Sequence, residues 1–251
     1  MSVHPLYRFL EWDSTFFGVR IGRIESTRLT SDEVAKALDW ASDQHLQCLY
    51  FLCEPDDDES VRLAEIHGFH LVDLRLSLQR RLESDGILAL SQTEQGSVRP
   101  YRVQDRDAIE EIAATAYHDT RFYYDHRFGV DRATALYRTW ARKSCDGDAD
   151  AVFVAGQQQD VQGFITCHLQ PARRGQIGLV GVDSGARGAG LGRLLVDAAL
   201  AYFVEKGIAE VEVATQGRNI AAQRLYQKCG FRSGSLHLWY HKWFGGSNDD
   251  G

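Results

Sequence analysis

Short apolar runs alternate along the chain with stretches in which apolar residues recur every three or four positions, a pattern of strands interleaved with helices. Before residue 83 the pattern predicts strands over 19–25, 47–53 and 69–79. It predicts helices over 32–45, where Val34, Leu38 and Ala41 share a side, and over 58–67. Glu83 to Ser97 breaks the pattern with Ser84-Asp85-Gly86 and a polar run from Gln92, so 84–96 reads as a linker, with room for a helical turn at Ile87–Leu90. It would separate a domain over 1–83 from one over 97–244, with 245–251 a polar, disordered tail. After the linker the pattern predicts a strand over 98–103 and helices over 106–117 and 132–143. Strands follow over 151–156, 162–169 and 175–182. A long helix over 190–206 stops at Gly207. A strand over 210–215 leads to a helix over 220–228, capped by Asn219 and ended by Gly230. Phe231 to Trp243 completes the set as a strand or hairpin, with a bend expected at Gly234.

The two halves share a motif. Residues 48–69 read strand, turn, short helix, Gly68-Phe69, and residues 211–231 read strand, turn, short helix, Gly230-Phe231. Either the first half is a worn copy of part of the second, or a common helix ending has recurred by chance.

Composition adds limits. The 251 residues are 44% hydrophobic and 25% charged, enough to bury a core without disulfides or metal. A net charge of −7 argues against free nucleic acid as partner but leaves room for an anion held in a local basic pocket. The five cysteines are scattered and lie mostly among apolar neighbours, as reduced thiols in a cytoplasmic protein would. No metal site is expected from their spacing, no run is long enough to span a membrane, and no signal peptide is expected.

The candidate chemistry begins at Val182-Asp183-Ser184-Gly185-Ala186-Arg187-Gly188-Ala189-Gly190-Leu191-Gly192, between a predicted strand and a predicted helix. Glycines there permit a tight turn, and the helix start adds free N–H groups, a combination that binds pyrophosphate. A P-loop would end Gly-Lys-Ser/Thr, whereas this segment ends Gly192-Arg193-Leu194. A dinucleotide fingerprint would place an acidic residue at the end of the next strand, and Glu210 and Glu212 lie at its start and inside it.

The segment resembles the GNAT acetyltransferases, whose Arg/Gln-x-x-Gly-x-Gly/Ala signature is matched by Arg187, Gly190 and Gly192. The resemblance continues in Asn219, Ala222, Tyr226, Gly230 and Phe231, in the pattern Asn-x-x-Ala-x-x-x-Tyr-x-x-x-Gly-Phe, and covers about residues 97–244. It implies an α+β fold: a mixed, mostly antiparallel central sheet flanked by helices. A smaller α/β domain resembling part of a GNAT fold precedes it. It also implies acetyl-CoA as cofactor. Its pyrophosphate would lie on Arg187, Gly188, Ala189, Gly190, Leu191, Gly192 and Arg193, and its pantetheine arm along Val180, Gly181 and Val182. Asn219 and Ala222 would add further contacts. The strand carrying Val180 would splay from its neighbour, and its N–H groups would steady an oxyanion.

Amine attack on a thioester expels a thiolate, and a phenol beside the sulfur can protonate it. The resemblance gives that role to Tyr226, which otherwise reads as a core aromatic. His168, Asp73, His118 and His237 are candidates for the base, and a solvent chain would serve as well.

The segment Leu10-Glu11-Trp12-Asp13-Ser14-Thr15-Phe16-Phe17-Gly18-Val19 resembles the start of the dTDP-fucosamine acetyltransferase family, as do Gly68-Phe69-x-Leu71-Val72 and Ala116-Tyr117-x-x-x-Arg121-Phe122. That family acetylates the amino group of a nucleotide-linked sugar, so a nucleotide amino sugar is the implied small-molecule acceptor. Arg121, Tyr123 and Tyr124 lie in an aromatic and cationic stretch from His118 to Phe128, suited either to phosphate and ring contacts or to packing. A peptide N-terminus as acceptor, and a non-catalytic acyl-CoA binder, stay open. Leu236-x-Leu238-Trp239-Tyr240 is expected as an exposed strand able to form a homodimer.

Overall fold

The computed structural model describes residues 6–82, 98–157 and 160–245. The linker over 84–96, its helical turn at Ile87–Leu90, and the tail from 246 lie outside them. Two compact units result, and neither is continuous in sequence. The first holds the chain up to Arg75, Tyr124–Phe128 and the chain from Leu236; the second holds Leu76–Tyr123 and Gly129–Ser235.

In the first unit β1 (Tyr7–Phe9), α1 (Glu11–Phe17), β2 (Ile21–Ile24), α2 (Ser31–Asp43), β3 (Cys48–Cys53) and α3 (Asp58–Ile66) follow one another. Two 12-residue strands, β4 (His70–Arg81) and β10 (Arg232–Trp243), pass from one unit into the other. At about 3.3 Å per residue each is long enough to serve both. The first unit's sheet runs β1-β2-β3-β10, with β2 and β3 parallel and the other pairs antiparallel. Val34, Ala37 and Ala41 of α2 and Leu63 and Ala64 of α3 bury against Leu49, Phe51 and Tyr240. Each large side chain so buried is worth about 1.5–3 kcal/mol. Helix α2 opens with a reciprocal cap: the Glu33 amide donates to Thr30 Oγ1, and the Thr30 amide donates to the Glu33 carboxylate at 2.8 Å.

The second unit contains β5 (Val98–Pro100), α4 (Arg106–Ala116), α5 (Arg121–Tyr124, whose last residue falls in the first unit), α6 (Val130–Lys143), β6 (Ala151–Gln157), β7 (Asp160–Gln170), β8 (Arg174–Val182), α7 (Leu191–Glu205), β9 (Glu210–Gln216) and α8 (Ile220–Lys228). Its sheet runs β4-β9-β8-β7-β6-β5. The pairs from β5 to β8 are antiparallel and β8–β9 is parallel, a mixed and mostly antiparallel sheet. Leu195, Val196, Ala199, Leu200 and Phe203 of α7 cover Ile165, Cys167, Ile177, Val211 and Val213 of the sheet.

The units repeat an order: β2-α2-β3-α3 in one and β8-α7-β9-α8 in the other, each with its two strands parallel. In the first unit β3 is flanked by β10, the last strand of the chain; in the second β9 is flanked by β4.

Two expectations are corrected. No bend occurs at Gly234: β10 runs through it, and a Cβ there would meet the Gln79 side chain at 2.9 Å, so close packing rather than a turn favours glycine. Leu236–Tyr240 is not an exposed strand. Leu238, Trp239 and Tyr240 pair with Cys53, Leu52 and Phe51, and Tyr240 is buried, although Leu236 is exposed.

Candidate active site

The site starts with a gap in the sheet. Strands β8 and β9 pair from Arg174↔Glu210 to Ile177↔Val213; beyond that, β8 continues to Val182 and β9 to Gln216 with no further pairing between them among the described residues. The divergence coincides with a register shift on the other side of β8, between Ile165 and Cys167 of β7. Within it the Leu179 amide donates to Thr166 Oγ1 at 2.8 Å, replacing a ladder bond with a side-chain bond.

Past Val182 the chain turns through Asp183, whose carboxylate accepts from the Gly185 amide, into the loop before α7. Gly188 and Gly190 have φ of +86° and +83°, and a Cβ on either would meet nothing within 4 Å, so the backbone lies open to a ligand. Helix α7 has no side-chain cap; the Arg193 and Leu194 amides bond back to the Gly190 carbonyl, which leaves the first amides of the helix for an anion.

A groove of about 690 Å³ joins these features, within the range of small-molecule sites. Val180, Val182, Arg187, Gly188, Gly190 and Leu191 line it, as do Gly192, Arg193, Asn219, Ala222 and Tyr226. Of the residues the sequence assigned to the cofactor, Gly181 and Ala189 are not in the lining. A Cβ on Gly181 would meet Phe164 and Ile112, so that residue admits α4 against the strand. Asn219 has a second task, since its Oδ1 caps α8 by accepting from the Ala222 amide at 3.0 Å.

The sequence reading missed Arg224 and Lys228, which also line the groove. Four residues apart, they lie on one side of α8, and with Arg187 and Arg193 they bring four cations to the groove, against the single carboxylate of Asp119. Their i,i+4 spacing just after the Asn219 cap was the available signal. Open glycines, free helix amides and converging cations fit the phosphates of coenzyme A.

Tyr226 is 5% exposed, packs edge-on to Phe231 and lines the groove. Burial, with a smaller effect of Cys229, pushes its phenol well above the ordinary value, so it is held protonated. Tyr117 follows α4, and its neighbours Ala116 and Asp119 line the groove. Burial raises its phenol too, with Tyr226 and then Tyr137 adding to the rise, while the Val180 backbone lowers it.

The candidate bases and acceptor residues are dispersed. His168 on β7 has Nδ1 3.2 Å from the Asp148 carbonyl, which favours a proton there and a lone pair on Nε2, 3.5 Å from Thr166 Oγ1. His118 is exposed, edge-on to Tyr123. The Tyr123 hydroxyl bonds Thr134 at 2.8 Å, and the Arg121 guanidinium lies over Phe122. Asp73, His237 and exposed Tyr124 belong to the first unit; Asp73 is buried there and accepts from the Leu74 amide. None of these residues lines the groove of the second unit. The aromatic stretch is divided between the units. Phe128 packs on Phe17 and Trp243, while Asp125 takes hydrogen bonds from His241 and Trp243 in the first unit.

Residues 108–231 match the Acetyltransferase (GNAT) family. The chain carries a GNAT N-acetyltransferase domain. It is similar to the dTDP-fucosamine acetyltransferase of Escherichia coli O6:H1, with 25% identity over 96% of this chain and 100% of that protein. It is also similar to the mycothiol acetyltransferase of Amycolatopsis mediterranei, with 35% identity over 66% of this chain and 60% of that protein. Other curated relatives are spanned only in part; the chain covers 23% and 48% of the lengths of two of them. Among solved structures, a GCN5-related N-acetyltransferase from Sphaerobacter thermophilus shares the fold, with a TM-score of 0.64 and 16% identity over 94% of this chain and 76% of that one. Acetyl-CoA, the acyl donor of the GNAT family, suits the groove: Arg187, Arg193, Arg224 and Lys228 would meet its phosphates, and Val180 and Val182 its arm.

Proposed function

We propose that the protein transfers an acetyl group from acetyl-CoA to the amino group of a nucleotide-linked sugar, with Tyr226 as general acid. The observation that carries the reading is a protonated phenol at the groove that starts where β8 and β9 diverge, next to an open anion cradle. The cradle holds the donor, the Val180 amide faces the acetyl carbonyl, and Tyr226 gives its proton to the departing sulfur. The similarity to a dTDP-fucosamine acetyltransferase over nearly the whole chain supports the acceptor class, because it includes the first unit and not the acetyltransferase domain alone.

The test is thiol release from acetyl-CoA with a panel of acceptors: dTDP-linked 4-amino sugars, free amino sugars and short peptides. Turnover confined to the nucleotide-linked amines is expected. Turnover on peptides alone would overturn the acceptor assignment, and cofactor binding without any turnover would make the protein an acyl-CoA binder.

A further inference from the structure

The register shift in β8 turns its side chains over. Before the shift, a Cβ on Gly175 would meet Phe203 of α7, and Ile177 is buried in the same cluster, while a Cβ on Gly178 would point the other way, at His168 and Thr166. After it, Val180 and Val182 pack against the α7 cluster and line the groove, whereas a Cβ on Gly181 would meet Phe164 and Ile112 of α4. In a regular strand residues two apart share a face. Here Gly178 and Val180 lie on opposite faces, just past Ile177↔Val213, the last pair between β8 and β9. The groove reaches this opening from one face of the sheet, and the His168 imidazole reaches it from the other.

The ring is arranged to take a proton. The Asp148 carbonyl, 3.2 Å from Nδ1, can only accept, so Nδ1 carries the hydrogen and Nε2 the lone pair. A Cβ on Gly178 would come within 2.6 Å of Nε2, so glycine keeps that nitrogen uncovered. Thr166 Oγ1 is 3.5 Å from Nε2, at the limit of a hydrogen bond; it accepts the Leu179 amide and has a second lone pair for an imidazolium N–H. Gly178 is exposed and His168 half-buried, so this face is open to an incoming amine.

We propose that His168 is the general base, taking a proton from the attacking amine on the face of the sheet opposite the donor groove. The proposal rests on the acetyl-transfer reading and is independent of which amine is the acceptor. The amine nitrogen bonds to the acetyl carbon through the gap between β8 and β9, and its proton passes to Nε2 directly or across one water. The Asp148 carbonyl and Thr166 Oγ1 hold the charged ring. The C–S bond then breaks and the sulfur takes the Tyr226 proton. Solvent removes the proton from Nε2 and returns one to the Tyr226 phenolate, which closes the cycle.

The test measures turnover of the best amine in the acceptor panel and, by calorimetry, the affinity for acetyl-CoA. His168→Ala is expected to lower kcat/KM for the amine about 10²- to 10⁴-fold and to leave acetyl-CoA affinity unchanged. Added imidazole should restore part of the lost rate. Gly178→Ala keeps the imidazole but pushes it off its place. It should also slow turnover, and the double variant should be no slower than His168→Ala alone. Wild-type kcat/KM in His168→Ala would place the base elsewhere. A matching loss of acetyl-CoA affinity, a rate that imidazole leaves unrestored, or penalties that add in the double variant would each make His168 a packing residue and overturn the proposal. A wild-type protein that binds acetyl-CoA but acetylates no amine would instead remove the transfer reading itself, and this proposal with it.

Discussion

Thr166 Oγ1 accepts the Leu179 amide at 2.8 Å at the point where β7 and β8 shift register. Thr166 is 1% exposed, so water cannot replace it. The bond supports the irregularity beside the end of the β8–β9 pairing. Thr166→Val keeps the shape and leaves the Leu179 N–H unpaired. A loss of about 1–3 kcal/mol in urea unfolding is expected, together with a lower kcat. Unchanged stability would mean that the strand re-forms a regular ladder.

Tyr226→Phe should lower kcat by about 10- to 10⁴-fold, from the worth of a general acid down to partial replacement by water. The ring keeps its contact with Phe231, so the melting temperature and acetyl-CoA affinity should move little. Steady-state kinetics with calorimetry separates the two effects, and full turnover in the variant would return Tyr226 to the role of core aromatic.

Gly190→Asp should abolish the thermal stabilisation that acetyl-CoA confers. The carboxylate would stand at the start of α7 where phosphate is expected, on a residue with φ of +83°. Gly190→Ala separates strain from charge: a methyl group meets nothing within 4 Å, so only the left-handed conformation penalises it, by about 1–2 kcal/mol. Retained cofactor affinity in Gly190→Asp would show that the anion binds elsewhere.

Calorimetry should count one coenzyme A per chain. In the first unit, α2 holds the position that α7 holds in the second, but the Thr30–Glu33 cap takes the Glu33 amide and places a carboxylate at the helix start, where it would repel a phosphate. The following turn, Glu54 to Asp58, is acidic as well. Two equivalent sites would contradict this.

Asp125 is a pH-sensitive support of the first unit. Burial works to raise its pKa, but hydrogen bonds from His241 and Trp243 and the His241 charge outweigh it, so the carboxyl is held below its ordinary value. A depressed carboxylate contributes stability above its unfolded pKa of about 3.9, and the contribution is lost as pH falls through the folded value. Asp125→Ala should cost about 2–5 kcal/mol near neutral pH by leaving His241 Nδ1 and Trp243 Nε1 buried without an acceptor. Asp125→Asn should cost less. The deficit of Asp125→Ala should shrink in urea unfolding at acid pH, and a deficit independent of pH would rule out the charge.

The amino-acid sequence alone determined the local parts of this protein. Gly188 and Gly190 announce a left-handed turn, Asn219 a helix cap, and the periodicity of residues 190–206 a helix, because backbone sterics and hydrogen-bond reach act within a few residues. The tertiary structure decided whatever depends on distant pairing. Nothing in residues 232–243 shows that their second half pairs with β3, because a strand's partner is set by surfaces about 190 residues apart. The gap between β8 and β9 is not written in the residues of the two strands either, each of which reads as one unbroken strand; only the family resemblance led to expecting it. Arg224 and Lys228 were visible as charges, but only the packing of α8 directs them to the groove.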